Sequence, residues 1–251
     1  MNVFILATCR KPELLPFTRL VFDTLRVGFP TARVKVFLNR LSGEPEDTIF
    51  SLCKKVSAKS DSVDTIHHEW IEALVKTENE PFFILDTDVI FYSSFEGYKF
   101  DVPLAGRRIS EWDDGFSGCV TRARLHPSLL YIDPVMVRSA IELFESQVPK
   151  TVFTPKVNLF YPICLPFKRR WYFNDTCSLL YQAIGGQSFT DAQKDAYCHF
   201  EFGTIPDVVL PRLPVKESAA MVERRMAILK NPALGHGAWR EQDEYRNGKQ
   251  I

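Results

Sequence analysis

Residues 81–91 read Pro-Phe-Phe-Ile-Leu-Asp-Thr-Asp-Val-Ile-Phe, and this stretch decides the fold class. The apolar run 82–85 is short and is bounded by a proline and by charge, which predicts a strand buried on both faces. Asp86 and Asp88 follow at its carboxyl end. Because residues i and i+2 of a strand point to one side, we expect the two carboxylates to share a face, with Thr87 pointing away.

This acidic pair is the first candidate for a binding site. Two carboxylates held so close repel each other, and a divalent cation removes that conflict. Oxygen ligands of this kind suit Mg²⁺ or Mn²⁺. In open α/β sheets, ligands bind outside the carboxyl ends of the strands. The chemistry of Asp86 and Asp88 and their position therefore both indicate a metal site.

Bulk composition sets the class of protein. The chain has 251 residues, of which 45% are hydrophobic, enough for a full core in one large domain or one and a half. Lys plus Arg equals Asp plus Glu at 31 each, so charge gives no global signal for a nucleic-acid or acidic partner. The apolar run 3–7 has no basic region before it and predicts a first strand, and no stretch reaches membrane-spanning length. Six scattered cysteines without a CxxC pair favour free thiols, so we expect a cytoplasmic protein with no membrane span.

The first ninety residues or so alternate between strand and helix patterns. The predicted strands are 3–8, 34–39, 64–67 and the apolar run before Asp86. The first predicted helix ends at Gly28, and two more cover 46–55 and 70–76. This order predicts a parallel sheet with right-handed crossovers. Neither GxGxxG nor GxxxxGK[ST] is present, which excludes the usual dinucleotide fingerprint and a P-loop.

The pattern becomes irregular and aromatic after Phe91. It predicts strands at 129–133 and 208–210 and helices at 134–147, 174–184, 191–198 and 218–230. Residues 153–173 show no clean period, and the polar tail from about 231 is predicted to be mobile apart from residues 235–239. We therefore divide a single domain into a regular α/β half, 1–100, and an irregular half, 101–251.

The segment Ile84-Leu85-Asp86-Thr87-Asp88-Val89, at the end of a parallel N-terminal half, resembles the DxD motif of GT-A fold nucleotide-sugar glycosyltransferases. The resemblance covers roughly residues 1–135. It implies an α/β fold of the GT-A, Rossmann-like type, with a mostly parallel sheet flanked by helices and an irregular mixed C-terminal acceptor region. Residues 1–100 would then bind the nucleotide sugar, and residues 101–251 would bind the acceptor.

The implied activity is metal-dependent transfer of a hexosyl or pentosyl unit from a nucleoside-diphosphate sugar, with a UDP-sugar preferred. Mn²⁺ or Mg²⁺ would neutralise charge on the leaving group. The acceptor class stays open among a glycan, a lipid, a protein and a modified nucleic acid base. Retention and inversion of the anomeric configuration both stay open.

The resemblance also implies metal ligands. Asp88 would bind the metal directly, and Asp86 would bind the metal or the ribose. His199, which precedes Gly203, is similar to the C-terminal histidine that often completes such a site. A packed histidine is the ordinary alternative for His199, and His236 is a second candidate ligand.

Donor contacts are implied at the ends of the early strands. Thr8 and Arg10 lie where such enzymes seat the nucleotide base and ribose, and Asn39 ends the second strand. Arg107 is a candidate for the donor diphosphate, although a surface arginine is the plain alternative.

An inverting reaction needs a carboxylate that accepts the proton of the acceptor. Asp175 is our candidate, with Asp113 and Asp114 as rivals. Asp175 also lies in the sequence Asn-Asp-Thr at 174–176, which is typical of a helix N-cap, so a purely structural role is equally open.

Two other functions fit the same residues. The sequence Leu-Asp-Thr-Asp-Val also resembles the nucleophile motif of haloacid-dehalogenase-type phosphatases, with Asp86 as nucleophile and Asp88 as acid and base. That motif usually follows the first strand, whereas three predicted strands precede Asp86. The other alternative is a non-catalytic module that binds nucleotide sugars.

Overall fold

The structure is a computed structural model of the chain, and it describes residues 1–9, 12, 15–113, 119–147, 158–167, 170–199 and 215–247. Arg10, Asp114, the side chain of Asp113 and the predicted strand at 208–210 lie outside this description. Among the helices that are described, none combines the length and the apolar character needed to cross a membrane.

Strands and helices alternate regularly up to the acidic pair. The elements are β1 (Asn2–Ala7), α1 (Leu15–Gly28), β2 (Arg33–Asn39), α2 (Glu44–Lys55), β3 (Lys59–Val63), α3 (His67–Thr77), β4 (Phe82–Asp86) and β5 (Val89–Phe91).

Shorter strands dominate the rest of the chain. The elements are β6 (Leu104–Ile109), β7 (Trp112–Asp113), β8 (Cys119–Thr121), β9 (Arg124–Ile132), α4 (Pro134–Gln147), β10 (Ile163–Phe167), β11 (Arg170–Asn174), α5 (Ser178–Ile184), β12 (Gln187–Ser188), α6 (Asp191–Asp195), β13 (Tyr197–His199), α7 (Val215–Lys230), a 3₁₀ turn (Pro232–Gly235) and α8 (Trp239–Asn247).

Within the described ranges, the largest sheet has seven strands in the order β12-β6-β9-β4-β1-β2-β3. β1 pairs in parallel with β2, and β2 with β3, whereas β6 and β9 are antiparallel. A smaller sheet has the order β10-β11-β8-β7, and β13 pairs with β5. The prediction of an α/β fold with a mostly parallel sheet flanked by helices is confirmed.

The chain forms two compact units that interleave along the sequence. The first consists of Met1–Asp64, Leu85–Lys99 and Thr190–Gln242, and the second consists of Thr65–Ile84, Phe100–Phe189 and Asp243–Ile251. The boundary at residues 84–85 lies within β4, so the acidic end of that strand belongs to the first unit.

The core of the first unit follows directly from the apolar patterns. β1 is buried along residues 3–7, and α1 turns Phe17, Val21 and Leu25 toward the interior at helical spacing. The ring of Phe91 lies 5.2 Å from that of Phe29, and both side chains are buried. This aromatic packing holds β5, the strand that follows the acidic pair.

The second unit has its own aromatic core around β9. The ring of Phe83 lies 5.5 Å from that of Tyr131 and 6.0 Å from that of Phe100. Leu129, Leu130 and Ile132 of β9 are fully buried or nearly so. β9 begins at Arg124, well before the predicted strand 129–133, and its first residues, 124–125, pair with Ile109 and Arg108 of β6.

Three sequence-based assignments were wrong. The third strand covers 59–63 instead of 64–67, because β3 is a polar edge strand with little apolar alternation, and His67 instead opens α3. The segment 191–198 is a short helix followed by β13. The tail, predicted to be mobile except at 235–239, contains the 3₁₀ turn and α8, which continues to Asn247, and the indole N–H of Trp239 donates to Asp195 at 2.8 Å.

Candidate active site

The acidic pair lies where β4 ends and β5 begins. β4 ends at Asp86, residues 87–88 form a turn, and β5 starts at Val89. Asp88 is thus in a turn, so the argument that both acids share one face of a strand does not hold. Asp88 is buried and Asp86 is half-buried.

Asp88 faces His199 in the first unit. The Nε2 atom of His199 lies 3.2 Å from Oδ1 of Asp88, and both side chains are almost fully buried. The strand β13 brings the histidine there, because His199 pairs with Val89 in the antiparallel ladder of β13 and β5. The structure therefore brings together two of the three predicted metal ligands.

The Asp88–His199 pair fits a divalent cation. The Oδ1 atom of Asp88 is buried and has no hydrogen-bond partner in the described part of the chain, since the contact with His199 meets the ion-pair distance but not hydrogen-bond geometry. Two ligands about 2.1 Å from one octahedral ion, at a right angle, are about 3.0 Å apart. The observed separation of 3.2 Å is close to that value.

The described residues contain no group of three or more His, Cys, Asp or Glu side chains arranged to hold a metal ion. The two-residue pair is nevertheless compatible with Mg²⁺-type coordination, because such ions are usually bound by one or two carboxylates together with water and substrate phosphates.

Polar residues follow the carboxyl ends of β1 and β2, which are adjacent and parallel. Thr8 comes directly after β1, and Asn39, which is buried, is the last residue of β2. This places both predicted donor contacts at the edge where α/β sheets bind ligands.

The sequence did not predict an ion pair at this same carboxyl edge of the sheet. Arg40 follows β2 and pairs with Asp64, which follows β3. Arg40 has a φ of 53°, which is uncommon for a residue other than glycine, and its N–H donates to the carbonyl of Val63 at 3.1 Å. In the sequence, Arg40 follows a predicted strand, whereas Asp64 falls within the predicted strand 64–67, so no local pattern indicates that the two residues pair.

Arg107 lies on β6 in the second unit. Its side chain is buried, and its Nη2 atom lies 2.6 Å from Oδ1 of Asp243 in α8. The surface-arginine alternative is therefore wrong, since this guanidinium is buried and paired. A contact with a donor diphosphate stays a prediction and would require the phosphate to compete with Asp243.

Asp175 lies between β11 and α5 in the second unit, and both its carboxylate oxygens are engaged. The N–H of Thr176 donates to Oδ1 at 2.8 Å, and Nη2 of Arg124 lies 2.8 Å from Oδ2. The N-cap interpretation was wrong, because α5 starts at Ser178 and its N-cap is Cys177. Asp175 is instead an oriented carboxylate, with 34% of its side chain exposed.

The N-cap residue of α5, Cys177, is unusual in two ways. Its φ of 61° is in the left-handed region, and its thiol is buried. Burial, together with the nearby charge of Asp175, raises the pKa of the Cys177 thiol to about 12. The thiol is therefore neutral at ordinary pH and acts as a small packed side chain next to the oriented carboxylate.

His236, the second candidate metal ligand, and two other histidines make aromatic contacts. In the second unit, the ring of His67 stacks on Trp70 at 6.0 Å, and His68 meets Tyr161 edge-on at 4.7 Å. In the first unit, His236 lies 5.3 Å from the ring of Tyr92. These contacts explain His67 and His68 as packing residues, whereas His236 is exposed and its role as a metal ligand stays a prediction.

Neither a protein-family model nor a curated protein matches the sequence. Among solved structures, the chain is similar to the glycosyltransferase GlyE of Streptococcus pneumoniae TIGR4, with 12% identity over 75% of this chain and 45% of that chain and a TM-score of 0.39. It is also similar to a galactosyltransferase, LgtC, in complex with donor and acceptor sugar analogs, with 12% identity over 76% and 74% of the two chains and a TM-score of 0.42. The chain spans less than half the length of GlyE. Both of these structures are of glycosyltransferases.

Proposed function

We propose that this protein is a metal-dependent glycosyltransferase that moves a hexosyl or pentosyl unit from a nucleoside-diphosphate sugar, preferably a UDP-sugar, to an acceptor. The observation that carries the proposal is the buried pair of Asp88 and His199 at the end of β4. A buried carboxylate oxygen without a hydrogen bond is costly to the fold, and a bound cation at this oxygen would remove that cost. A carboxylate oxygen facing an imidazole nitrogen is a suitable donor set for Mn²⁺.

The donor half of the proposed enzyme is residues 1–100. Asp88, His199 and Asp86 would hold Mn²⁺ or Mg²⁺, which supplies charge neutralisation on the departing diphosphate. Thr8 and Asn39 support this arrangement through their positions at the carboxyl edge of β1 and β2. Arg10 is proposed to join Thr8 at the nucleotide.

The acceptor half is residues 101–251. If the reaction inverts the anomeric carbon, Asp175 accepts the proton of the acceptor hydroxyl. The bonds from Thr176 and Arg124 support this role, because they hold the carboxylate in one orientation while part of it stays exposed. If the reaction retains the configuration, no such base is needed. The acceptor is a glycan, a lipid, a protein or a modified nucleic acid base.

The phosphatase alternative would use Asp86 as a nucleophile, and no observation favours it. Asp86 ends the fourth strand along the chain, whereas that family's motif usually follows the first strand. A binding module without activity would use the same residues as the enzyme, and measured turnover separates the two.

A thermal-shift screen of nucleotide sugars, with and without Mn²⁺, tests the proposal. At a ligand concentration 100 times its Kd, binding stabilises the fold by about 2.7 kcal/mol. We expect a UDP-sugar to raise the melting temperature only when Mn²⁺ is present, and Asp88→Asn to abolish that shift. Asp61→Asn is the control, because Asp61 is an exposed acid that pairs with Lys35. Equal shifts in wild type and Asp88→Asn would contradict the proposed metal site.

A further inference from the structure

The C-terminal part of the first unit packs closely on β13, the strand that carries His199. We call residues 232–242 the C-terminal clasp. The hydroxyl of Tyr92 donates to the carbonyl of Pro232 at 2.7 Å. Gly235 fits beneath this contact, because a Cβ there would lie 2.3 Å from the Tyr92 hydroxyl oxygen and 2.9 Å from the sulfur of Cys198. The clasp therefore packs against β13 at a position where any side chain would clash.

Asp195 anchors the second part of the clasp just before β13. The indole N–H of Trp239 donates to Oδ1 of Asp195 at 2.8 Å, and the guanidinium of Arg240 lies 2.6 Å from Oδ2. The ammonium of Lys194 lies 3.9 Å from the centroid of the Trp239 ring. Both oxygens of Asp195 are thus used to fix the start of α8.

Gln242, at the end of the clasp, reaches the metal-ligand candidate itself. Its Nε2 atom donates to the backbone carbonyl of His199 at 3.2 Å. On its other side, His199 pairs with Val89 in the β13–β5 ladder. The backbone of His199 is therefore held between β5 and the clasp, while its imidazole faces Asp88.

We infer that Gln242 and Trp239 are positioning residues that hold His199 in the geometry needed for the divalent cation. The inference rests on the metal site proposed above. Trp239 fixes the chain before β13 through Asp195, and Gln242 fixes the strand at His199. Partners of metal ligands commonly change metal affinity by about 10- to 100-fold when they are removed.

Gln242→Met tests the contact with His199 most directly. Methionine keeps the length of the side chain and favours a helix but cannot donate to the carbonyl of His199. We expect the Kd for Mn²⁺, measured by electron paramagnetic resonance titration with and without UDP, to rise about tenfold. Trp239→Phe, which keeps the aromatic ring but loses the indole N–H, is expected to act in the same direction.

Glu244→Met is the matched control, because Glu244 is an exposed residue of the same helix. This variant is expected to bind Mn²⁺ like wild type. Melting temperatures without metal show whether the fold is intact. A positioning role predicts that Gln242→Met changes the Mn²⁺ affinity and the spectrum of the bound ion far more than it changes the metal-free melting temperature.

Asp88→Asn separates this inference from the proposed function. If wild type binds Mn²⁺ and Asp88→Asn does not, the metal site holds, and an unchanged Kd in both Gln242→Met and Trp239→Phe then overturns the positioning role alone. If wild type itself binds no Mn²⁺, with or without UDP, the metal site and the positioning role are both overturned.

Discussion

Gly28 is the residue at which one added methyl group tests the packing behind the candidate site. It ends α1, and the ring of Phe91 in β5 lies directly against it. In Gly28→Ala, the new Cβ would lie 2.4 Å from Cγ and 2.5 Å from Cδ1 of Phe91. Ordinary van der Waals contacts of a Cβ atom begin at 3.4 Å, so the Phe91 ring or the end of α1 must move by about 1 Å.

The Phe91 ring has little room for that movement. It is 2% exposed and lies between the rings of Phe29, at 5.2 Å, and Phe95, at 6.0 Å. Overpacking of this kind costs about 3 kcal/mol at the upper end. Alanine recovers about 1 kcal/mol in helix propensity, which leaves a net loss of about 2 kcal/mol. For a chain of this size, that loss lowers the melting temperature by about 4 to 8 °C.

Urea unfolding of wild type, Gly28→Ala and Gly97→Ala measures this loss. Gly97 is the matched control, because a Cβ there meets no atom within 4 Å. We expect a lower midpoint for Gly28→Ala, with the same slope as wild type, and no such loss for Gly97→Ala. Equal midpoints for the two variants would refute the close packing of α1 on β5.

Two further predictions concern the segment before α5. If the reaction inverts the anomeric carbon, Asp175→Asn is expected to lower sugar transfer by about 100-fold, because asparagine cannot accept the proton. Donor binding measured by calorimetry is expected to stay unchanged. Unchanged transfer would remove Asp175 from this role. The second prediction concerns the Cys177 thiol, whose pKa is raised from an ordinary value of 9.0 to about 12. The neutral thiol therefore contributes stability that is complete below pH 9 and is lost as the pH rises toward 12. Between pH 9 and 10 the free energy of unfolding should fall by about 1 kcal/mol, and thermal unfolding of Cys177→Ala should show a shallower fall; identical slopes would contradict the burial of the thiol.

The apolar patterns were sufficient to predict the fold class. The run 82–85 forms β4, and the helical spacing of Phe17, Val21 and Leu25 forms α1, because burial of these side chains dominates their local conformation. The prediction failed at β3, whose polar residues 59–63 form a strand only because β2 offers an edge to pair with. The ordered C-terminal helix was missed for a similar reason, since contacts with α6 hold it.

The contacts within the candidate site join residues far apart in the chain. The approach of Asp88 to His199 depends on β13 pairing with β5, which no local pattern predicts. His199 was named only through its resemblance to a family motif. In the same way, nothing near Asp175 in the sequence indicates that Arg124 is its partner. The roles of Thr8, Arg10, Asn39, Asp86, Asp88, Arg107, Asp175 and His199 stay predictions.

Turnover of a UDP-sugar by wild type and Asp88→Asn is the most direct test of the central claim. The assay follows release of UDP with Mn²⁺ present, and again after the metal is removed with a chelator and then restored. We expect turnover by wild type that stops on chelation and returns with Mn²⁺, and a loss of at least about 100-fold in Asp88→Asn. Metal-independent turnover, or full activity in Asp88→Asn, would contradict the claim that Asp88 and His199 form a catalytic metal site.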